Sequence, residues 1–233
     1  MATYNNEITL PKILDGVLTY TEAIILVNDG STDLTEELLV NYQTITILHL
    51  PKNKGKGNAL KKGFKKALEM GYERAITLDT DGQHFPDDLP AFIMALEKSE
   101  DKNLFIIGDR NMNEADVLAT IKALQKIRFL RWTSKFEFET EVIVRSHWRG
   151  IRVMNIPIKV LYPKDRVSHF RPFMDIARIV VLIIGFLIVK GFYIIPRDFF
   201  RQLKKKGFKK FFVEDFLGSG DSSKKKALSI ALG

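Results

Sequence analysis

The chain of 233 residues contains no cysteine. This absence excludes a disulfide framework and a zinc site built from thiolates, and it fits a reducing compartment. The first residues, MATYNNEITLPK, do not show the basic segment followed by an apolar segment that marks a secretory signal peptide. Stability must therefore come from apolar packing, and 45% hydrophobic residues suffice for one substantial core or for one domain with an appendage.

The positive charge of the chain is concentrated near its end. The net charge is +8, and most of the excess lies between Arg197 and Lys226. Lysines interspersed with phenylalanines, as in this tail, are one pattern of a nucleic-acid surface. The run Ile179–Ile195 just before the tail is apolar almost throughout, which favours a membrane surface instead. We therefore predict a membrane partner and no nucleic-acid partner.

Short apolar runs alternate with helical patterns along much of the chain. We predict strands at residues 23–27, 44–50, 74–78, 104–107 and 153–161. We predict helices at residues 33–42, 58–70, 86–98, 121–131 and 136–150, with Asp33 and Glu36 as a capping box at the first of them. This alternation is typical of an α/β fold, a mainly parallel sheet with helices on both faces. A C-terminal hydrophobic helix and a basic tail are expected to follow it.

Polar peptides stand directly after four of these predicted strands. Their sequences are VNDGSTD, LPKNKGKGN, LDTDGQH and IGDRN. The carboxyl ends of parallel strands share one edge of a sheet, and open α/β sheets bind their ligands at that edge. We therefore predict a ligand site formed by these four peptides.

Two aspartates, Asp79 and Asp81, follow the third predicted strand, and Gln83 and His84 stand beside them. Carboxylates one residue apart repel each other unless a positive group lies between them. Hard cations such as Mg²⁺ or Mn²⁺ are often held by one or two carboxylates together with substrate phosphates. The alternative is a turn that ends the strand, with an aspartate as its local cap and Gly82 in the bend. Both interpretations stay open at this point.

Four peptides in a fixed order extend this argument: YNNE at residues 4–7, VNDGSTD at 27–33, NKGKGNA at 53–59 and LDTDGQH at 78–84. In this order they resemble family 2 glycosyltransferases of the GT-A (nucleotide-diphospho-sugar transferase) fold. The resemblance is strongest to the polyprenyl-phosphate (dolichyl-phosphate) mannosyltransferase-like branch. It covers roughly residues 2–178, and it implies Mg²⁺ or Mn²⁺ as cofactor.

The resemblance implies a role for each residue that matches a family motif. The implied metal ligands are Asp79, Asp81 and Gln83. The implied nucleotide contacts are Tyr4, Glu7, Asp29, Lys56 and Asp79. The implied phosphate or acceptor contacts are Arg110, Arg166, Ser168 and Arg171. The residues implied in catalysis are Asp81, Asp109, Arg110 and Arg166.

Several of these residues have a plainer interpretation. Gly55 and Gly57 allow close backbone approach to an anion at a helix start, but a glycine-rich turn before a helix accounts for them equally well. A guanidinium suits phosphate oxygens, yet Arg166 and Arg171 are equally compatible with a solvated basic loop. The glutamates at 137, 139 and 141 are interpreted as the exposed face of their helix.

The chain departs from the family pattern in two places. Only three residues precede Tyr4, so the first strand is expected to be missing or very short. The acceptor motif that relatives carry after the GDRN peptide is also not found. We expect a catalytic domain at residues 1–175, without the first strand and part of the acceptor region, and a membrane-associated segment at 176–233.

The predicted function is an inverting glycosyltransferase. It would move a hexose from a GDP- or UDP-sugar to a lipid-linked acceptor, with polyprenyl phosphate as the leading candidate. The alternatives are transfer to a sugar hydroxyl in cell-envelope glycan synthesis, and a membrane-docked module that binds nucleotide sugars without turnover. Because nucleotide sugars are cytosolic, the resemblance implies the cytoplasmic face of the cell membrane. Residues 179–210 would lie on or re-enter the membrane, with bends near Gly185 and Gly191.

Overall fold

The computed structural model describes two compact units, with the boundary between Ile179 and Val180. The described residues are 1–83, 85–99, 104–109, 115–119, 127, 129–130, 132–158 and 171–206. The strands are β1 (Ala2–Thr3), β2 (Ile25–Asn28), β3 (Thr46–His49), β4 (Ala75–Ile76), β5 (Leu104–Asp109), β6 (Ala115–Ala119) and β7 (Arg152–Pro157). The helices are α1 (Leu10–Leu18), α2 (Thr35–Leu39), α3 (Lys56–Glu69), α4 (Leu89–Lys98), α5 (Glu137–Trp148), α6 (Pro172–Val189) and α7 (Ile195–Lys206).

The strands form two sheets that meet at β1. The first sheet is parallel and has the order β1-β2-β3. The second has the order β4-β6-β5-β7, in which β6 runs antiparallel to both neighbours and β7 is parallel to β5. A parallel bridge between Ala2 and Asp79 connects β1 to the segment after β4. The predicted α/β fold with mainly parallel strands is confirmed, and the first strand has only two residues.

Helices cover both faces of β2. Leu26 belongs to the apolar cluster that α1 forms with β2, and its side chain is fully buried. The next residue, Val27, points to the other face, because successive strand residues alternate. There, a Cβ added to Gly63 of α3 would lie 3.4 Å from Val27 Cγ2. The two-sided cover explains why the strand reads as an uninterrupted apolar run.

The sequence analysis does not predict α1, which contains both Pro11 and Gly16. Pro11 stands in the first turn, where its missing N–H costs no helical hydrogen bond. Gly16 gives room for Pro86, whose Cγ would lie 2.8 Å from an added Cβ. Four apolar residues at helical spacing bury the inner face of the helix: Leu10, Ile13, Leu14 and Val17.

The helix predicted at residues 33–42 is present but shorter, and the prediction of a capping box formed by Asp33 and Glu36 is wrong. α2 has five residues, and its N-cap position is Leu34. The Asp33 carboxylate accepts hydrogen bonds from the backbone N–H groups of Thr35 at 3.1 Å and of Glu7 at 3.1 Å. Asp33 therefore ties the first loop of the chain to this helix. The helix predicted at 121–131 falls mostly outside the described residues.

The predicted hydrophobic helix begins earlier than its apolar run. The helical stretch Pro172–Asp198 has 27 residues and is largely apolar, and only 11% of its most apolar part is buried within the protein. It is roughly 40 Å long as a helix, which exceeds the ~30 Å hydrocarbon core of a bilayer. By length and composition it is able to cross a membrane. Helical structure continues through Gly185, whereas Gly191 lies in the π-helical turn Lys190–Ile194.

Candidate active site

The loop after β1 is hydrogen-bonded to the loop after β2. The backbone N–H of Asn5 donates to Ser31 Oγ at 3.0 Å, and the N–H of Thr32 donates to Asn5 Oδ1 at 2.8 Å. Asn5 itself has a φ of 51°, a left-handed conformation that asparagine tolerates. Glu7 Oε2 accepts from the N–H of Leu34 at 2.8 Å. Glu7 thus lies beside the loop after β2, where its carboxylate contacts the N-cap of α2.

The acidic loop after β4 is anchored to the same edge through Thr80. This residue is buried, and its hydroxyl donates to the carbonyl of Ala2 at 3.1 Å and accepts from Asn6 Nδ2 at 2.8 Å. The hydroxyl of Thr9 donates to the Thr80 carbonyl at 2.6 Å. Because Thr80 stands between the two aspartates, these contacts hold Asp79 and Asp81 in place beside the first loop.

Asp29 connects the loop after β2 to the loop after β3. Its buried carboxylate accepts hydrogen bonds from the backbone N–H groups of Lys54, at 3.1 and 3.2 Å, and of Gly55, at 2.7 Å. Burial raises the pKa of Asp29, and these hydrogen bonds oppose the rise. Asp29 therefore orients the glycine-rich loop, and the loops after β1, β2, β3 and β4 form one connected polar edge. Of the predicted peptide IGDRN, residues 110–111 lie outside the described residues.

Gly55 and Gly57 are required by a close approach within the protein. A Cβ at Gly57 would lie 2.5 Å from Phe138 Cβ, and one at Gly55 would lie 2.6 Å from the carbonyl oxygen of Ser134. The backbone N–H of Asn58 donates to that same carbonyl at 2.9 Å. These contacts support the structural interpretation of the glycines, since α3 packs here against the segment that begins α5.

Lys56 connects the acidic loop to α5. Its ammonium contacts Asp79 Oδ2 at 2.7 Å and Glu139 Oε1 at 2.8 Å. Burial by itself lowers the pKa of Lys56, but the carboxylates of Asp79 and Glu139 outweigh it and hold this pKa above the ordinary value. The side chain that was predicted to contact the nucleotide therefore pairs with two acids, and one of them, Glu139, was not among the predicted site residues.

The interpretation of the α5 glutamates as an exposed face is wrong. Glu137 and Glu141 are fully buried, and Glu139 is 25% exposed. Glu137 Oε1 accepts from the N–H groups of Ser134 and Lys135 at 3.1 and 3.2 Å, as expected for an acid in the first turn of a helix. The spacing of the three glutamates along the sequence could have revealed this. Positions 137 and 141 share a helix face and position 139 does not, so the three cannot form one solvent face.

The acidic loop is suited to a hard divalent cation. Asp79 and Asp81 would supply carboxylates and the buried Gln83 an amide oxygen, and the Gln83 N–H donates to Asp81 Oδ1 at 3.0 Å. Asp79 already has one positive neighbour, the Lys56 ammonium at 2.7 Å. Within the described residues, no group of three or more His, Cys, Asp and Glu side chains is placed to hold a metal. This donor set fits an ion that takes further ligands from a substrate phosphate.

The remaining predicted residues are placed only in part. Tyr4 is half-buried in the loop after β1. Asp109 ends β5, but its side chain is not among those described. Arg171 is exposed, and its backbone N–H donates to Asp175 Oδ2 at 2.7 Å. The other predicted residues lie outside the described ranges: His84, Arg110, Arg166 and Ser168.

The sheet order and the polar edge define a GT-A fold, and solved structures of that fold support this. The chain superposes on glucosyl-3-phosphoglycerate synthase from Mycobacterium tuberculosis, in a complex with Mn²⁺, uridine diphosphate and phosphoglyceric acid. The TM-score is 0.60 at 15% identity, over 81% of this chain and 76% of that one. At this identity the likeness concerns the fold alone.

The sequence profile of glycosyl transferase family 2 matches residues 1–154, and the chain belongs to this family. It is 36% identical over 129 residues to a dolichyl-phosphate beta-glucosyltransferase of Trichomonas vaginalis, covering 48% of this chain and 39% of that protein. It is 32% identical over 128 residues to a UDP-N-acetylglucosamine–dolichyl-phosphate N-acetylglucosaminyltransferase of Methanococcus voltae, covering 47% of this chain and 50% of that protein. The matched part thus spans half or less of either relative.

Proposed function

We propose that this protein transfers a hexose from a nucleotide sugar to a polyprenyl phosphate, with inversion at the anomeric carbon. One observation carries the proposal: the loops after β1, β2, β3 and β4 are hydrogen-bonded into one polar edge that carries Asp79 and Asp81, with the Lys56 ammonium against Asp79. The choice of acceptor is supported by the two relatives, whose names both specify dolichyl phosphate.

The donor would bind along this edge. Tyr4, Glu7 and Asp29 would border the nucleoside, and Asp79, Asp81 and Gln83 would hold Mg²⁺ or Mn²⁺. When bound, the ion would offset the negative charge that develops on the departing nucleoside diphosphate. Guanidinium groups suit the same oxygens, so we assign the phosphates to the following residues, of which only Arg171 is described: Arg110, Arg166, Ser168 and Arg171.

The reaction needs little proton transfer if the acceptor is a phosphate. An oxygen of the acceptor phosphate would attack the anomeric carbon, and the bond from that carbon to the diphosphate oxygen would break. The bonding electrons would leave with the nucleoside diphosphate. A sugar hydroxyl would instead need a carboxylate to accept its proton, for which Asp109 is the residue that we assign.

We place the protein at the cytoplasmic face of the cell membrane. Residues 1–175 would form the catalytic domain and residues 176–233 the membrane-associated part. The apolar helix at Pro172–Asp198 and the basic residues that follow it support this assignment, because such a pair suits hydrocarbon next to anionic headgroups.

Calorimetry with UDP and GDP, each with and without Mn²⁺, tests the donor site. We expect one nucleotide to bind more tightly when Mn²⁺ is present. The Asp81→Ala variant should lose this metal-dependent part. Asp87→Ala is the matched control, because Asp87 follows on the same segment, is exposed, and accepts a hydrogen bond from Tyr20. Equal loss in both variants, or no nucleotide binding at all, would contradict the proposed donor site.

Transfer itself is measured by following a radiolabelled sugar from the nucleotide into an organic-soluble lipid, using the full chain. Label in the organic phase supports polyprenyl phosphate as acceptor. Label only in a water-soluble glycan would replace it with a sugar hydroxyl. Nucleotide binding with no transfer to either acceptor would indicate a binding module.

A further inference from the structure

Lys56 bridges two acidic side chains that come from distant parts of the chain. Asp79 follows β4, and Glu139 lies in the first turn of α5. Both carboxylates contact the one ammonium, at 2.7 and 2.8 Å, so the two oxygens lie within two hydrogen-bond lengths of each other. All three side chains are largely shielded, with 20% of Lys56 and 25% of each acid exposed. At this degree of burial the attraction is stronger than in a surface pair.

The position of Lys56 is unfavourable for helix formation. It is the first residue of α3, where the helix dipole presents its positive end and favours negative side chains. A lysine at this position depends on the two carboxylates to offset the repulsion. Without the Lys56 ammonium, the carboxylates of Asp79 and Glu139 would repel each other across a short distance. The ammonium therefore offsets this repulsion in the donor-free protein, in addition to the hydrogen bonds by which Thr80 anchors the acidic loop.

We propose that Lys56 is an internal counter-cation that competes with the divalent ion for Asp79, so that the ion binds together with the nucleoside diphosphate rather than alone. This inference rests on the proposed function. A divalent ion at the acidic loop is repelled by the ammonium next to it. The diphosphate supplies an additional anion for the ammonium, and Glu139 retains it when Asp79 turns to the ion. Glu139 is then a positioning residue that acts through Lys56.

The experiment is a titration of the full, nucleotide-free chain with Mn²⁺, in which free Mn²⁺ is measured by electron paramagnetic resonance. We expect Lys56→Met to bind Mn²⁺ about tenfold more tightly than the unaltered protein, which is within the usual range for coupled sites. Lys62→Met is the control, because it removes the same charge from an exposed position of the same helix. It should leave the affinity near the original value. Equal Mn²⁺ affinity in the unaltered protein and Lys56→Met would overturn the inference.

A second variant covers the case in which Lys56→Met unfolds. The double variant Lys56→Met/Glu139→Gln removes one charge of each sign and so relieves the repulsion between the two acids. We expect it to keep a melting temperature near that of the unaltered protein and still to bind Mn²⁺ more tightly. If this folded variant gains no affinity, the inference is contradicted.

Parallel titrations with UDP and GDP separate this inference from the proposed function. Nucleotide binding with Mn²⁺ affinity unchanged by Lys56→Met would contradict the inference and leave the donor site standing. Tighter Mn²⁺ binding by Lys56→Met without any nucleotide binding would uphold the competition for Asp79 but contradict the donor site, and with it the coupling of the ion to the diphosphate.

Discussion

Glu141 is the residue that holds the segment before α5 in place. Its fully buried carboxylate accepts hydrogen bonds from the Leu130 N–H at 2.8 Å, from Arg145 Nε at 2.6 Å and from the Thr133 hydroxyl. Lys61 donates to the carbonyls of Leu130 and Thr133 from the other side. Burial lowers the pKa of Lys61, and the nearby Glu141 opposes this shift. A network of this kind is costly to interrupt, because each group depends on the others for its partner.

Glu141→Ala should therefore reduce the free energy of unfolding by about 2–4 kcal/mol, since it leaves the buried Thr133 hydroxyl and the part-buried Leu130 N–H without this acceptor. Glu69→Ala is the control. Its pair with Lys65 is exposed and 3.7 Å long, and such pairs contribute ~0–1 kcal/mol. Urea denaturation measures the loss of unfolding free energy in both variants, provided that the dependence of this free energy on urea concentration is unchanged. Similar losses in the two variants would show that the buried network adds nothing beyond a surface pair.

At the scale of elements, the contact between α3 and the start of α5 shapes the centre of the polar edge. This contact requires a residue without a side chain at Gly57, and it places Lys56 and Glu139 within reach of each other. Gly63, six residues further along α3, faces Val27 at an ordinary contact distance. An added methyl group would therefore overlap the neighbouring helix at Gly57 but make an ordinary contact at Gly63.

We expect Gly57→Ala to destabilise the protein by about 1–3 kcal/mol, because the added carbon overlaps the α5 segment. Gly63→Ala should instead stabilise it by about 0.5–1 kcal/mol, through the better helix propensity of alanine. Thermal unfolding of the two variants measures the difference. If Gly57→Ala also stabilises the protein, the close contact described between α3 and α5 is contradicted.

At the scale of the whole molecule, the basic helix α7 follows an apolar helix that is able to span a bilayer. Arg201 and Lys204 are exposed on α7, and Phe192 just before it is 84% exposed. Exposed apolar surface of this extent is costly in water and favourable in lipid. The arrangement is consistent with binding to a membrane whose surface carries negative charge.

The full chain should float with vesicles that contain phosphatidylglycerol. Arg201→Glu/Lys204→Glu should weaken binding by at least about tenfold at low salt, since each basic residue near such a surface contributes about 1 kcal/mol. The control Lys12→Glu/Lys62→Glu makes the same charge change at exposed positions elsewhere. If both pairs reduce flotation equally, net charge rather than α7 determines binding. If neither does, headgroup attraction plays no part.

The sequence by itself determined the elements whose signal is local. Apolar runs ended by polar peptides predicted β2, β3 and β5, and the helical spacing of residues 58–70 predicted most of α3. Four ordered peptides identified the family. Each of these loop motifs is a contiguous stretch of sequence, so it is visible without knowledge of the tertiary structure. The long apolar run Ile179–Ile195 predicted a helix, because a run that is apolar on all sides suits a membrane better than a small soluble core.

The tertiary structure alone decided which side chains meet. Lys56, Asp79 and Glu139 are separated along the chain, and no periodicity within any one segment encodes their contact. The roles of Gly57 and of α1 likewise depended on what packs against them, namely Phe138 and the apolar face of β2. The physical reason is that local patterns fix which face of an element is apolar, whereas contacts between distant residues arise only when the chain closes around a core.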